Sequence, residues 1–389
     1  MPRPALTWDL FCRIIDNHGD LGVCWRLSRR LAALGQQVRL WVDDAAALSW
    51  MAPLGDPAVQ VMPWRDPAPD ESPGEVVVEA FGCNPPPAFV ARMAARSVPP
   101  VWINLEYLSA EPYAERCHGL ASPQQSGPGA GLMKWFFYPG FTAATGGLLR
   151  EDSLGGDGAH LNAEAWLASI GITPWPGAQR ISLFCYEQPA LAGWLARWQA
   201  GADGPEAGED RSEPAPPAMR PHLTQLLVTP GPAAQQVSAL LGTSIGPGSL
   251  WGGGSLQVHG LPWLTQTDFD RLLASCDLNH VRGEDSLVRA LWARKPFVWQ
   301  LYPQADEARL PKLEAFLDLY LRGAAPDLDR ALRRRFRHWN GAACAPPEPA
   351  PATDPWAVHA SAWAHCLEGQ QDELGDLGRR LCRFVTAKR

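Results

Sequence analysis

The chain has 389 residues, enough for two domains of ordinary size, and 46% of them are hydrophobic against 19% charged. Lys and Arg number 34 against 41 Asp and Glu, a net charge of −7, which argues against a dedicated nucleic-acid binder. No apolar run approaches the ~20 residues of a membrane span, and the nine scattered cysteines contain no C-x-x-C pair, so neither a disulfide framework nor a zinc site is expected.

Met1-Pro2-Arg3-Pro4-Ala5 leads straight into a strand-like run, Leu6 to Ile15, without a signal-peptide h-region, and a cytoplasmic location is expected. A polar, glycine-containing turn follows, then a helix from about Leu21 to Leu34, with Val23, Leu27, Leu31 and Leu34 at helical spacing and Gly35 as its stop. Val38–Val42, Ala58–Met62, Glu75–Ala80 and Val101–Leu105 are short apolar runs bounded by Pro, Gly and Asp, the pattern of buried parallel strands. In the second half, strands are expected at Ile181–Tyr186, Leu223–Val228, Leu256–Val258, Cys276–Val281 and Phe297–Gln300. Helices are expected at Pro189–Gln199, Ala233–Leu241, Asp268–Ser275, Ser286–Arg294 and Ala305–Leu321. The alternation implies βαβ units and a second parallel sheet, joined to the first near Gly171–Gly177. Gly201–Arg220 is rich in Pro, Gly, Ala and Glu and is expected to be a disordered insertion. Ala345–Pro355 is a Pro/Ala hinge, with helix expected again over Trp356–Ala387, and the 18 tryptophans are dispersed as core packing.

Two loops carry candidate chemistry. Asp16-Asn17-His18-Gly19-Asp20-Leu21-Gly22 links the first strand to the first helix, at the sheet edge where doubly wound folds bind ligands. Its carboxylates supply a base and an orienting partner, or Asp20 is simply the helix N-cap and Asp16 an Asx-turn residue. Val281-Arg282-Gly283-Glu284-Asp285-Ser286 occupies the equivalent position in the second half. There Arg282 and the helix N-terminus suit a phosphate and Glu284 suits ligand hydroxyls, or Asp285 or Ser286 caps the helix and Arg282 pairs with Glu284. Phe184 reads as core packing; Tyr186 ends a strand, and Trp263 and Gln266 follow a later one, either as further core packing or as a site where a planar base stacks on Trp263 while Gln266 reads its polar edge. Gly252-Gly253-Gly254 reads as a loop that precedes a strand, the wrong order for a phosphate cradle, and no metalloenzyme or serine-hydrolase motif appears.

WDLFCRIIDNHGDLGVCWRLSRRLA (8–32), WINLEYLSAEPY (102–113), FFYPGFTAATGGLLRE (136–151), ISLFCYEQPAL (181–191), CDLNHVRGEDSLVRALWARKPFVWQLYPQ (276–304) and KLEAFLDLY (312–320) resemble, in family order, the bacterial protein-arginine rhamnosyltransferases of elongation factor P, the EarP family. The resemblance implies an α/β GT-B glycosyltransferase fold, two Rossmann-like domains facing each other across a cleft. Domains are then expected at 1–173 (acceptor side, with the catalytic Asp) and 174–355 (nucleotide-sugar side), with a helical segment over 356–389 packing back on the first. The implied reaction transfers L-rhamnose from dTDP-β-L-rhamnose to an arginine of elongation factor P, with inversion and without a metal or other cofactor. It makes Asp20 the catalytic carboxylate, Asp16 its partner and Glu284 the donor-binding acid. Arg282, Gly283, Asp285 and Ser286 then line the diphosphate and sugar, and Tyr186, Trp263 and Gln266 the thymidine end. His18 stands where the family motif usually carries Tyr or Phe, and 201–220 and 246–254 look like local insertions. The alternatives are a GT-B transferase with another nucleotide sugar or a small-molecule acceptor, or a non-catalytic nucleotide-sugar binder. The acidic pair counts against the latter.

Overall fold

Thr7–Cys12 (β1) is an interior strand of its sheet and is buried on both faces, so its sequence, TWDLFC, lacks the polar alternation of a half-exposed strand. The computed structural model describes residues 5–15, 18–64, 71–152, 162–201, 222–303, 309–342 and 353–389. These form two compact units, one of Met1–Asp152 with Leu367–Arg389, the other of Ser153–Cys366.

In the first unit β1 is followed by α1 (Gly19–Ala33), β2 (Gln37–Val42), α2 (Leu48–Met51), β3 (Val59–Pro63), β4 (Val76–Ala80), α3 (Pro87–Ala95), β5 (Val101–Leu105), α4 (Pro112–Cys117), β6 (Ala121–Pro123) and β7 (Met133–Phe137). The described strands make a sheet in the order β3-β2-β1-β4-β5-β7-β6, parallel except for β6, which pairs antiparallel with β7 at the edge. Trp8, Leu10 and Cys12 of β1 pack on one side with Leu21, Cys24, Leu27 and Leu31 of α1. Phe11 packs on the other side with Trp41, Trp102 and Phe89. Asp9 also lies in β1 and is fully buried, and its carboxylate accepts from Arg39 Nε and Nη2 (2.7 Å each), Trp41 Nε1 (2.8 Å) and the Gly74 N–H (2.7 Å). A buried charge tolerates that place because it is paired and fully hydrogen-bonded. α1 ends as expected, with Gly35 in left-handed backbone at φ +82°.

The second unit contains α5 (Ala163–Ser169), β8 (Gln179–Leu183), α6 (Leu191–Ala200), β9 (Thr224–Val228), α7 (Pro232–Leu241), β10 (Leu250–Gly253), β11 (Leu256–Gly260), α8 (Gln266–Ser275), β12 (Leu278–Arg282), α9 (Gly283–Trp292), β13 (Phe297–Gln300), α10 (Arg309–Tyr320) and α11 (Pro326–Trp339). Its described strands run β10-β11-β9-β8-β12-β13, parallel but for β10. The glycine run expected to be a loop supplies this edge strand: Trp251 and Gly252 pair with Val258 and Gln257 of β11. Trp194, Trp198 and Trp339 are buried around His280, in keeping with core use of tryptophan.

The units divide after Asp152, and 153–173, expected with the first domain, falls in the second. There Trp166 of α5 packs in one cluster with Leu272 and donates to Asp268 at 3.2 Å. The C-terminal stretch is two helices, α12 (Thr353–Leu374) and α13 (Leu377–Lys388). They break where Gly375 takes φ +86° and Asp376 caps α13, accepting from Gly378 N–H at 2.9 Å and Arg379 N–H at 3.3 Å. Asp376 also holds the buried Arg30 of α1 through two bonds, 3.2 and 2.6 Å. The expected insertion at 201–220 and hinge at 345–355 lie outside the described residues except at their ends.

Candidate active site

Each sheet reverses its winding beside its first strand, between β1 and β4 in one unit and between β8 and β12 in the other. Ligands of doubly wound sheets bind at the carboxyl ends of strands at such a switch point, and both candidate loops leave strands that flank one.

In the first unit Asp20 sits inside the first turn of α1 and is only 3% exposed. Its Oδ2 accepts the Ile15 N–H at 2.8 Å, which closes the turn between β1 and α1 around the carboxylate. The N-cap reading of Asp20 is therefore corrected: His18 holds the cap position, one turn residue before the helix. A carboxylate in the first turn is favoured by the positive end of the helix dipole, and the buried Cys12 and Cys24 thiols lie nearby. Burial pushes the Cys24 thiol well up, with Cys12 and then Asp20 adding to the effect, so Cys24 stays protonated. His18 turns its ring edge-on to Trp50 at 5.4 Å. Asp16 and Asn17 lie outside the described residues.

In the second unit, β12 ends at Arg282 and α9 begins at Gly283, whose φ of +67° makes the sharp strand-to-helix corner. Arg282 takes the cap position, so neither Asp285 nor Ser286 is the cap. The Ser286 hydroxyl instead accepts the Arg282 N–H at 3.0 Å and donates back to the Arg282 carbonyl. Trp299 Nε1 bonds the Gly283 carbonyl at 2.8 Å, and the corner is fixed from two sides. The Arg282 guanidinium carbon lies 4.4 Å from the Phe184 ring and 4.5 Å from the Tyr186 ring, with Nη1 3.4 Å from the Cys185 carbonyl. Glu284 is held by Lys312 Nζ at 2.9 Å.

Strand β8 ends at Leu183, three residues before its expected end, so Phe184 and Tyr186 lie beyond the sheet. Both rings form a shelf for Arg282. Phe184, read from sequence as core, does this while meeting Phe269 edge-on at 5.4 Å. Tyr186 is pinned through its backbone: Gln300 Oε1 accepts its N–H at 2.9 Å and Gln236 Nε2 donates to its carbonyl at 2.9 Å. Trp263, half exposed at 51%, and the buried Gln266 follow β11, which β9 separates from β8. That separation is a lateral offset of about 10 Å, the scale of a nucleoside. The structure thus brings Tyr186 and Arg282–Ser286 together and sets Trp263 and Gln266 to one side of them.

Lys312, Gln300 and Gln236 were missed by sequence reasoning. Lys312 carries one faint signal: it is one of four lysines in a chain whose positive charge is otherwise arginine. The two glutamines carry none, since they act through backbone contacts from other strands and helices. Among the described residues no group of three His, Cys, Asp or Glu side chains is placed to hold a metal, and no helix is long and apolar enough to cross a membrane.

Two doubly wound units, each with its polar loops at the carboxyl edge, give the GT-B fold. A solved structure concerned with EarP-mediated arginine glycosylation of translation elongation factor EF-P matches 99% of this chain and 100% of that one, at 33% identity and TM-score 0.64. A protein-arginine rhamnosyltransferase of Pseudomonas putida is 46% identical over 86% of each chain, and one of Pseudomonas aeruginosa is 41% identical over 98% of this chain and 99% of its own. The family model for Elongation-Factor P (EF-P) rhamnosyltransferase EarP matches residues 8–386, and the chain belongs to this family.

Proposed function

We propose that this is a cytoplasmic, metal-independent, inverting glycosyltransferase that moves L-rhamnose from dTDP-β-L-rhamnose to an arginine of translation elongation factor P. One observation carries the reading: a buried carboxylate, Asp20, stands at the switch point of one sheet, and a turn combining a cation with a carboxylate, Arg282 to Ser286, at that of the other. Family membership and the relatives named for this activity support it.

The chemical difficulty is the nucleophile. An arginine side chain has a pKa above about 12, so a carboxylate cannot hold a useful population of neutral guanidine. In this mechanism Asp20 holds one terminal nitrogen, localises its lone pair and takes its proton as the C–N bond forms. Asp16 grips the rest of the guanidinium by a charge-assisted hydrogen bond. The anomeric C–O bond breaks on the opposite face and dTDP leaves with the electron pair, which inverts the sugar carbon. Arg282 and the first turn of α9, with Gly283, Asp285 and Ser286, stabilise the leaving diphosphate. Glu284, oriented by Lys312, bonds sugar hydroxyls. Tyr186, Trp263 and Gln266 take the thymidine end.

The test is intact-protein mass spectrometry of elongation factor P incubated with this protein and dTDP-β-L-rhamnose, in the presence of EDTA. A gain of one deoxyhexose that maps to an arginine, with the opposite anomeric configuration by NMR, is expected. Clear dTDP binding without any gain would return the acceptor to a small molecule or another protein.

A further inference from the structure

The residue that leaves β4 is Phe81, and its backbone is left-handed, with φ +58°. A bulky aromatic rarely adopts that region and keeps it only where its surroundings over-determine it; such residues cluster at functional sites. Here the surroundings are explicit. Phe81 N–H donates to the Leu105 carbonyl at 2.7 Å, Gly82 N–H to Asn104 Oδ1 at 3.2 Å, and Cys83 Sγ–H to the Phe11 carbonyl at 3.3 Å. The forced turn lays the Phe81 ring flat on Tyr107, with centroids 4.3 Å apart and planes 14° from parallel. Tyr107, just beyond β5, keeps 37% of its surface exposed. Asn104, which holds Gly82, also donates to Glu106 Oε1 at 2.7 Å and so ties a carboxylate to the same loop pair.

The position in the fold is as telling as the strain. β1 and β4 are neighbours with Phe11 opposite Glu79, so Phe81 leaves the sheet one strand spacing, about 4.8 Å, from the exit of β1. That exit leads to Ile15, whose N–H holds Asp20. Core filling asks neither for left-handed backbone nor for an exposed partner ring. A flat aromatic pair with a carboxylate beside it is what recognises a guanidinium, which is planar, stacks on rings and pairs with carboxylates.

We propose that the Phe81–Tyr107 stack and Glu106 form the seat for the acceptor arginine, holding its guanidinium plane so that one nitrogen is presented to Asp20. This rests on the arginine-transfer reading above. It assigns the acceptor side chain to a strained aromatic pair that takes no part in donor binding.

The test is steady-state kinetics on the full chain, varying elongation factor P and dTDP-β-L-rhamnose separately, with thermal unfolding as the check on folding. Tyr107→Phe keeps the ring and is expected to hold KM for elongation factor P well below that of Tyr107→Ala. Tyr107→Ala, at an exposed position, and Phe81→Leu are expected to raise KM for elongation factor P about tenfold and leave KM for the sugar nucleotide unchanged. Phe81→Gly relieves the backbone strain but removes the ring, and it is expected to show the same acceptor defect. A rise in donor KM instead, or no change in either, overturns the seat while the transferase reading stands. Failure of the wild type to modify any arginine overturns that reading, and the seat with it.

Discussion

Arg282 is where charge and shape can be separated. Its guanidinium is flanked by the Phe184 and Tyr186 rings at 4.4 and 4.5 Å and by the Cys185 carbonyl at 3.4 Å, so three successive residues leaving β8 set its plane. Arg282→Lys keeps the positive charge but loses the planar fork, and an ammonium cannot lie flat against two rings while bonding a diphosphate with two parallel N–H groups. A hydrogen bond to a charged group is worth about 1.5–3 kcal/mol, so losing one weakens dTDP binding by roughly 10- to 150-fold. Arg282→Met removes the charge as well and is expected to fall below Lys. The fold survives either change, because β12 is held to β8 and β13 by backbone pairing. Isothermal titration with dTDP reads the affinities directly. Lys binding within twofold of wild type, or Met binding no worse than Lys, would refute the assignment of Arg282 to the diphosphate.

Three further outcomes follow from the same geometry. Lys312→Met removes the cation that holds the Glu284 carboxylate at 2.9 Å, and is expected to weaken dTDP-β-L-rhamnose several-fold while leaving dTDP unchanged, since Glu284 is assigned to the sugar; equal losses for both ligands in the same titration would contradict this. Asp9→Asn removes the counter-charge of Arg39 inside the first sheet and is expected to cost about 3–5 kcal/mol, lowering the thermal transition by roughly 10 °C; a shift under 2 °C would contradict it. Burial, helped by the charge of Arg380, pushes the His118 imidazole down from 6.5 to about 4, and its Nδ1 accepts the Tyr138 N–H at 3.1 Å. Between those two values the unfolded chain binds a proton that the folded chain does not, so stability falls as pH falls through the window. His118→Asn cannot titrate there, and a thermal midpoint with an unchanged pH slope would count against this.

Much of this architecture is legible because parallel strands announce themselves as short apolar runs between turn residues. Val101–Leu105 and Phe297–Gln300 are found as read. The errors have physical causes. The apolar run through Tyr186 overshoots β8 because hydrophobicity reports burial, not ladder pairing, and Phe184 and Tyr186 are buried in part against an arginine. β10 is hidden by its glycines, which carry no side-chain pattern and pair only because β11 offers them an edge. α11 is hidden by charge: its core stripe of Leu328, Leu332, Phe336 and Trp339 is interleaved with arginines, two of which bond Glu314 of α10. The candidate loops are legible because both stand between a strand and a helix, where ligand edges lie. What sequence does not reveal is support from elsewhere in the chain: Lys312 on Glu284, Gln300 on Tyr186, and β1 and β5 bending Phe81 into left-handed backbone.

The central claim is that Asp20 acts on the acceptor nitrogen and not on the donor. The measurement is single-turnover transfer by Asp20→Asn at saturating dTDP-β-L-rhamnose and elongation factor P, alongside its affinity for dTDP. Asn is isosteric and can still bond the Ile15 N–H that Asp20 holds at 2.8 Å, so the loop is kept. Transfer slowed at least a hundredfold with dTDP affinity unchanged is the predicted result. Transfer at near-wild-type rate with intact donor binding would contradict the account and send the search for the catalytic group elsewhere.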